Sequence, residues 1–264
     1  MLFWRSATVV CTAFLLTLAV VDGRTAQAQT LGDLARASQS ATGTALNPRT
    51  LNGASPVTGD GLFGTAEFVS DSLKGLPQWT RVLGEMGREQ SKFDACARDV
   101  SRCTSPTLRN WHHIVNAATK FGRAGKIRAV NEFFNRWPYK EDREIYGRSE
   151  YWAAPSEFMA RSGDCEDYSI AKYFALRQLG FGQDELRIVI LMDEIRGIGH
   201  AVLAVYEENE IIVLDSLSNL ILPHDRYKHY RPQYSMNESR RWAHVGGFRN
   251  QPTAPYRGLV ARQN

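Results

Sequence analysis

Ser162-Gly163-Asp164-Cys165-Glu166-Asp167-Tyr168, running directly into Ser169–Gly180, sets one cysteine among three carboxylates at the start of a predicted helix. Tyr168, Ala171, Phe174, Ala175 and Leu179 recur at the i, i+3, i+4, i+7 spacing of a helix with one buried face. Gly180 and Gly182 supply its stop signal. Ser162 or Asp164 is placed to cap the first turn, and acidic residues there suit the positive end of the helix dipole. A thiol at such a helix N-terminus is pushed toward thiolate, its reactive form. The same residues also fit a small buried cysteine that only packs, so the rest of the chain has to decide between the two.

C-terminal to this helix the pattern turns to strands. Leu186–Met192 is a β-branched, apolar run that reads as a buried strand. After the loop Asp193–Gly199, whose two glycines give the approach to His200 freedom, His200–Tyr206 and Ile211–Asp215 form a hairpin around Glu207-Glu208-Asn209-Glu210. A two- or four-residue turn pairs Tyr206 with Ile211 and Val202 with Asp215. His200 and Asp215 then share a face as diagonal neighbours, roughly 7–8 Å apart at the backbone. A three-residue turn would put them on opposite faces. An aspartate ending an apolar strand is costly to bury unless paired, and a histidine beside it is the natural partner. Such a pair fixes the imidazole tautomer and leaves the second ring nitrogen to take a proton. Cys165 is the candidate source of that proton. The alternative is a structural His–Asp hydrogen bond beside an inert cysteine.

N-terminal to the helix, Arg5, the apolar run Ala7–Val21 and Ala26-Gln27-Ala28 read as a cleavable export signal, giving a mature chain from about Gln29. The run is shorter than a spanning helix needs, and no later stretch is long and apolar enough to cross a membrane. Removal of residues 1–28 takes Cys11 with it. In an exported compartment Cys96 and Cys103 can pair, and the count then singles out Cys165. A three-cysteine metal site fits poorly, because no histidine stands at a matching offset. Residues 29–61, rich in Ser, Thr, Gly, Ala and Asn, read as a flexible lead, and 62–264 as one domain. Leu76–Cys96, Thr107–Phe121 and Ile127–Trp137 have helical spacing, and the aromatic stretch Tyr139–Phe158 reads as a packed connector. His112 and His113 are adjacent and share no helix face. His224, His229 and His244 fall in a polar, Arg- and Tyr-rich region and read as surface or packing residues. The 264 residues carry a mild net charge of +4, which gives no case for nucleic acid.

Asn135-Arg136-Trp137-Pro138-Tyr139, Asp142, Tyr151-Trp152-Ala153, Gly163–Tyr168, Ala171-Lys172-Tyr173 and His200–Leu203 resemble the bacterial transglutaminase-like cysteine proteinases, a family that includes the LapG-type periplasmic proteases of surface adhesins. The likeness runs from about Phe93 to Pro223. It implies an α+β fold with a papain/transglutaminase-like core, an antiparallel sheet against the Cys165 helix and extra N-terminal helices. It also implies a cysteine endopeptidase with Cys165 as nucleophile, His200 as general base and acid, and Asp215 as orienting carboxylate. LapG-type members are calcium-dependent with ligands around the nucleophile, which points to Asp164, Glu166 and Asp167, with Asp184 a weaker addition; three clustered carboxylates supply a good part of a calcium shell. Otherwise these acids serve only the helix dipole. The family implies an adhesin-like protein substrate, a periplasmic location, a role in biofilm release and an inner-membrane cyclic-di-GMP-responsive receptor. Amide cross-linking by the same acyl-enzyme, or a non-catalytic calcium- or peptide-binding module, are the other readings.

Overall fold

The computed structural model describes residues 56–57 and 61–247. The export signal and nearly all of the lead therefore lie outside the described residues. Among the described residues are six α-helices, all preceding residue 179: α1 (Pro77–Arg98), α2 (Pro106–Thr119), α3 (Arg123–Phe134), α4 (Asp142–Tyr146), α5 (Pro155–Arg161) and α6 (Cys165–Gln178). Proline opens α1, α2 and α5, where its missing N–H costs nothing. Ser105 caps α2, its hydroxyl accepting from the Leu108 N–H at 3.1 Å.

The strands are β1 (Pro56–Val57), β2 (Thr65–Ser70), β3 (Leu186–Asp193), β4 (Ile198–Tyr206), β5 (Ile211–Asp215), β6 (Ser218–Pro223), β7 (Tyr230–Met236) and β8 (Arg241–Gly246). They form one antiparallel sheet in the order β1-β2-β8-β7-β3-β4-β5-β6. The α+β architecture is as expected. The β4–β5 register is also the expected one, with Tyr206 opposite Ile211 and Ala204 opposite Val213. β1, β2, β6, β7 and β8 have no counterpart among the predicted strands, and β6 extends the sheet past β5. β2, β7 and β8 build the half of the sheet beyond β3.

One sheet face, with Ile188, Ile190, Ala201, Leu203, Val205 and Leu214, carries the helical layer. The other, with Val189, Leu191, Val202, Ala204 and Val213, is covered by Leu62, Phe63 and Tyr230. α6 rests on β3 and β4, with α3 and α5 against its outer side. It is therefore not a one-faced helix: every residue from Cys165 to Leu176 is buried. Burial on all sides explains why the apolar rhythm alone understates its contacts.

Cys96 and Cys103 are joined by a disulfide between the end of α1 and the start of α2. His112 lies beside them, but sulfurs spent in a disulfide do not offer a thiolate pair to a metal.

Candidate active site

Chain geometry forces the approach to Cys165. Ser162 sits at φ 73°, a left-handed conformation that L-residues adopt only at a cost. A Cβ on Gly163 would stand 2.7 Å from the Cβ of Asp167, so only glycine fits there. Asp164 then caps α6, and its N–H donates to Oδ2 of Asp167 at 3.3 Å. Oδ1 of Asp167 accepts from the Ala153 N–H at 2.6 Å, tying the helix start to the connector. Cys165 is the first residue of α6. Its Sγ lies 3.3 Å from Oε2 of Glu166, and its carbonyl accepts from the Ser169 hydroxyl at 3.0 Å.

The acids around it form a buried cluster with one member more than the three expected. One carboxylate oxygen each from Asp142, Asp164 and Asp167 lie within 4.8 Å of one another, as do ligand atoms of Asp164, Cys165 and Glu166. Oδ1 of Asp142 and Oδ1 of Asp164 are buried with no hydrogen-bond partner among the described residues. Burial, and then the charge of Asp164, push Asp142 up to about 7, although the Tyr151 N–H donates to it. Burial likewise raises Asp164, and burial with the Asp164 charge holds Glu166 and Asp167 well above the ordinary carboxylate range. Four carboxylates, two of them with an orphaned oxygen, oppose one another's ionisation, and a hard dication relieves both problems at once. The donor set fits calcium. Asp184 does not join it: its carboxylate lies 3.7 Å from Arg240 and 3.4 Å from Asn237, beside the β7–β8 turn.

His200 and Asp215 meet as the hairpin register requires. Nε2 of His200 lies 2.9 Å from Oδ1 of Asp215, and both side chains are buried. The carboxylate is otherwise saturated. Oδ1 also accepts from the Leu217 N–H at 3.0 Å, and Oδ2 accepts from the Tyr230 hydroxyl at 2.6 Å. Burial alone would raise the Asp215 carboxyl; the charge of His200 and these three donors outweigh it and hold the group far below the usual range. Nδ1 of His200 is buried with no hydrogen-bond partner among the described residues. The sequence offered no sign of Tyr230, because a tyrosine in a polar, tyrosine-rich stretch looks like any other.

Strict alternation would aim the His200–Asp215 pair at the face away from α6. Two irregularities stand at that point, where β3 slips against β7 between Ile190 and Leu191 and β5 slips against β6 between Val213 and Asp215. β4 itself runs regularly against β3 and β5, and the Asp215 carboxylate bonds Tyr230, which covers the face away from α6. The N-terminus of α6 lies over the same part of the sheet. The charge of Glu166 reaches the Tyr234 hydroxyl, Tyr234 pairs with Ile190, and Ile190 pairs with Ala201, the neighbour of His200. The other end of α6 is fixed by Arg177, which bonds Glu238 in the β7–β8 turn. The helix thus runs alongside β4 with Cys165 at the His200 end.

His244 is buried rather than exposed, between the hydroxyls of Ser235 at 2.8 Å and Thr65 at 2.9 Å. Burial pushes it down to about 4, so it is a neutral strut in the far half of the sheet.

Residues 90–250 match the family model described as bacterial transglutaminase-like cysteine proteinase BTLCP. Among solved structures, calcium-bound Legionella pneumophila LapG aligns with a TM-score of 0.50 at 32% identity, over 60% of this chain and 91% of that one. Two further structures of the same protein, one of them EGTA-treated, align with TM-scores of 0.49 at 32% identity. Each covers 58% of this chain, and 86% and 84% of theirs. No curated protein sequence matches.

Proposed function

The chain belongs to the bacterial transglutaminase-like cysteine proteinases, and on that premise we propose that it is a calcium-dependent endopeptidase acting through Cys165, His200 and Asp215. The observation that carries the reading is the buried His200–Asp215 pair with its second ring nitrogen unspent, at the end of the sheet where α6 begins. Nδ1 of His200 takes the proton from Sγ of Cys165 as the sulfur attacks the scissile carbonyl. The carbonyl π electrons move onto oxygen, and backbone N–H groups at the start of α6 stabilise that oxyanion. As the tetrahedral species collapses, the C–N bond breaks and Nδ1 returns its proton to the leaving amine. Water activated by the same nitrogen then releases the acyl group and restores the thiol. Asp215 holds the imidazole in the tautomer with the proton on Nε2 and stabilises the imidazolium.

Asp164, Glu166 and Asp167 would hold calcium, with Asp142 as a fourth carboxylate. When bound, the ion supplies the positive charge that lets an acidic surrounding coexist with a thiolate. This agrees with the calcium-bound form of the LapG relative.

We further read the protein as exported to the periplasm by residues 1–28, with a large cell-surface, adhesin-like protein as substrate. Release of cells from biofilms, under an inner-membrane cyclic-di-GMP-responsive receptor, follows the family pattern. The test is a comparison of surface-bound and secreted proteins from wild-type and Cys165→Ala cells. The reading predicts a large surface protein retained at full length in the variant and shortened in the wild type. An identical set of large surface proteins in both contradicts it.

A further inference from the structure

Lys172 is an anomaly that the catalytic reading does not use. It lies seven residues after Cys165 in α6, two turns and about 10 Å along the axis on the same side of the helix. Its exposure is 0%. A methionine would fill that space without the desolvation cost of an ammonium, so the cation has to be explained by what it touches. Nζ donates to the main-chain carbonyl of Asp215 at 3.1 Å. Burial pushes the ammonium down to about 7, and the Asp215 charge opposes that shift.

A second donor reaches the same oxygen. Nδ2 of Asn135, the residue that ends α3, lies 2.9 Å from the Asp215 carbonyl and 3.0 Å from that of Ser218. The turn between β5 and β6 is thereby gripped at both ends from the helical layer. It also follows directly on the slip of the β5–β6 ladder between Val213 and Asp215, with Asp215–Ser218 the one pair of that ladder beyond it. On the opposite side the Asp215 carboxylate holds His200 and Tyr230. The charged and titratable groups facing Asp215 are therefore His200, Tyr230 and Lys172, with Tyr227 further out.

We propose that Lys172, seconded by Asn135, is a positioning residue that ties the helix carrying Cys165 to the strand end carrying Asp215. It thereby sets the separation between the thiol and the imidazole–carboxylate pair. One side chain links the two halves of the site: its root is on the nucleophile's helix and its tip is on the backbone of the orienting acid. The role rests on the catalytic reading above, in which Cys165 and His200 work together. Lys172 touches neither substrate nor reacting atoms.

The test uses the mature protein with calcium, in wild-type, Lys172→Met, Asn135→Ala and His200→Ala forms. Two quantities are read: the second-order rate of Cys165 alkylation by iodoacetamide at neutral pH, and the His200 Nε2–H resonance in protein labelled with 15N-histidine. Lys172→Met is expected to slow alkylation at least tenfold and to shift or broaden the resonance while still melting cooperatively. Asn135→Ala should move both in the same direction by less. Should Lys172→Met fail to fold, Asn135→Ala, altered at a half-exposed helix end, decides alone. Folded variants with the wild-type rate and resonance overturn the proposal, whatever their melting temperature. If His200→Ala also alkylates at the wild-type rate, it is the catalytic reading that has failed.

Discussion

Removing calcium should reverse how this protein responds to pH. Four buried carboxylates meet at the start of α6, and Asp142 has the best-defined shift, from 3.8 to about 7. A carboxyl whose folded value is raised binds more protons folded than unfolded, so metal-free stability falls as pH rises through that window. The penalty is absent below about pH 4, grows through the interval and is complete above about pH 7. At roughly 1.4 kcal/mol per unit, Asp142 alone costs about 4 kcal/mol at neutral pH. For a domain of this size that corresponds to a melting temperature lower by on the order of 10 °C. Asp164, Glu166 and Asp167 are raised as well and act with the same sign. On the proposed reading calcium binds only the ionised cluster, so its stabilisation, about 2.7 kcal/mol at a hundredfold excess over Kd, would grow with pH and offset the loss. The assay is thermal unfolding by circular dichroism from acid to neutral pH, with millimolar calcium and with excess EGTA. The metal-free protein should lose stability toward neutrality and the calcium form should not. Superimposable curves with and without calcium at neutral pH would refute the cluster as a cation site.

Other consequences follow from single contacts. Asp215→Asn keeps the shape but offers an N–H where Nε2–H must donate, so turnover should fall by about 10^4, the scale of an amide replacing a triad carboxylate, with the fold retained by circular dichroism. Gly163→Ala brings a methyl group against Asp167, and isothermal titration should show weakened calcium binding even if the protein still folds. Reducing the Cys96–Cys103 bridge, which closes a loop of sequence separation 7, should cost about 2 kcal/mol and lower the melting temperature by on the order of 5 °C. Cysteine alkylation at Cys165 after that reduction should keep its rate, since the bridge joins α1 to α2 and not to α6.

The hairpin that carries His200 and Asp215 is legible because both strands are apolar and the segment between them is short and polar, while its register, open in the sequence, is settled by the pairing of Tyr206 with Ile211. The acidic turn before α6 was legible because it is contiguous. Asp142 is visible only through the family resemblance, since no local pattern links it to Asp164, 22 positions later. β2, β7 and β8 were hidden for a different reason. Their inward positions hold Thr65, Glu67, Ser235 and His244, which are buried by hydrogen bonding to each other and by the Glu67–Arg187 ion pair. Alternation of apolar and polar residues is then absent where a strand would show it. Pro232 adds to the disguise by standing at the slip opposite Leu191, the kind of irregular position where a strand tolerates proline. Lys172 lies outside the apolar positions Tyr168, Ala171, Phe174, Ala175 and Leu179, and a sequence does not show that the side it occupies is covered as well.

The central claim is that Cys165 is a nucleophile readied by His200. Its most direct test is to treat the calcium-loaded mature protein briefly with a thiol-directed electrophile, digest it and locate the adduct by mass spectrometry. The account predicts modification at Cys165, lost in His200→Ala. A Cys165 that stays unmodified, or one labelled equally fast without His200, contradicts it.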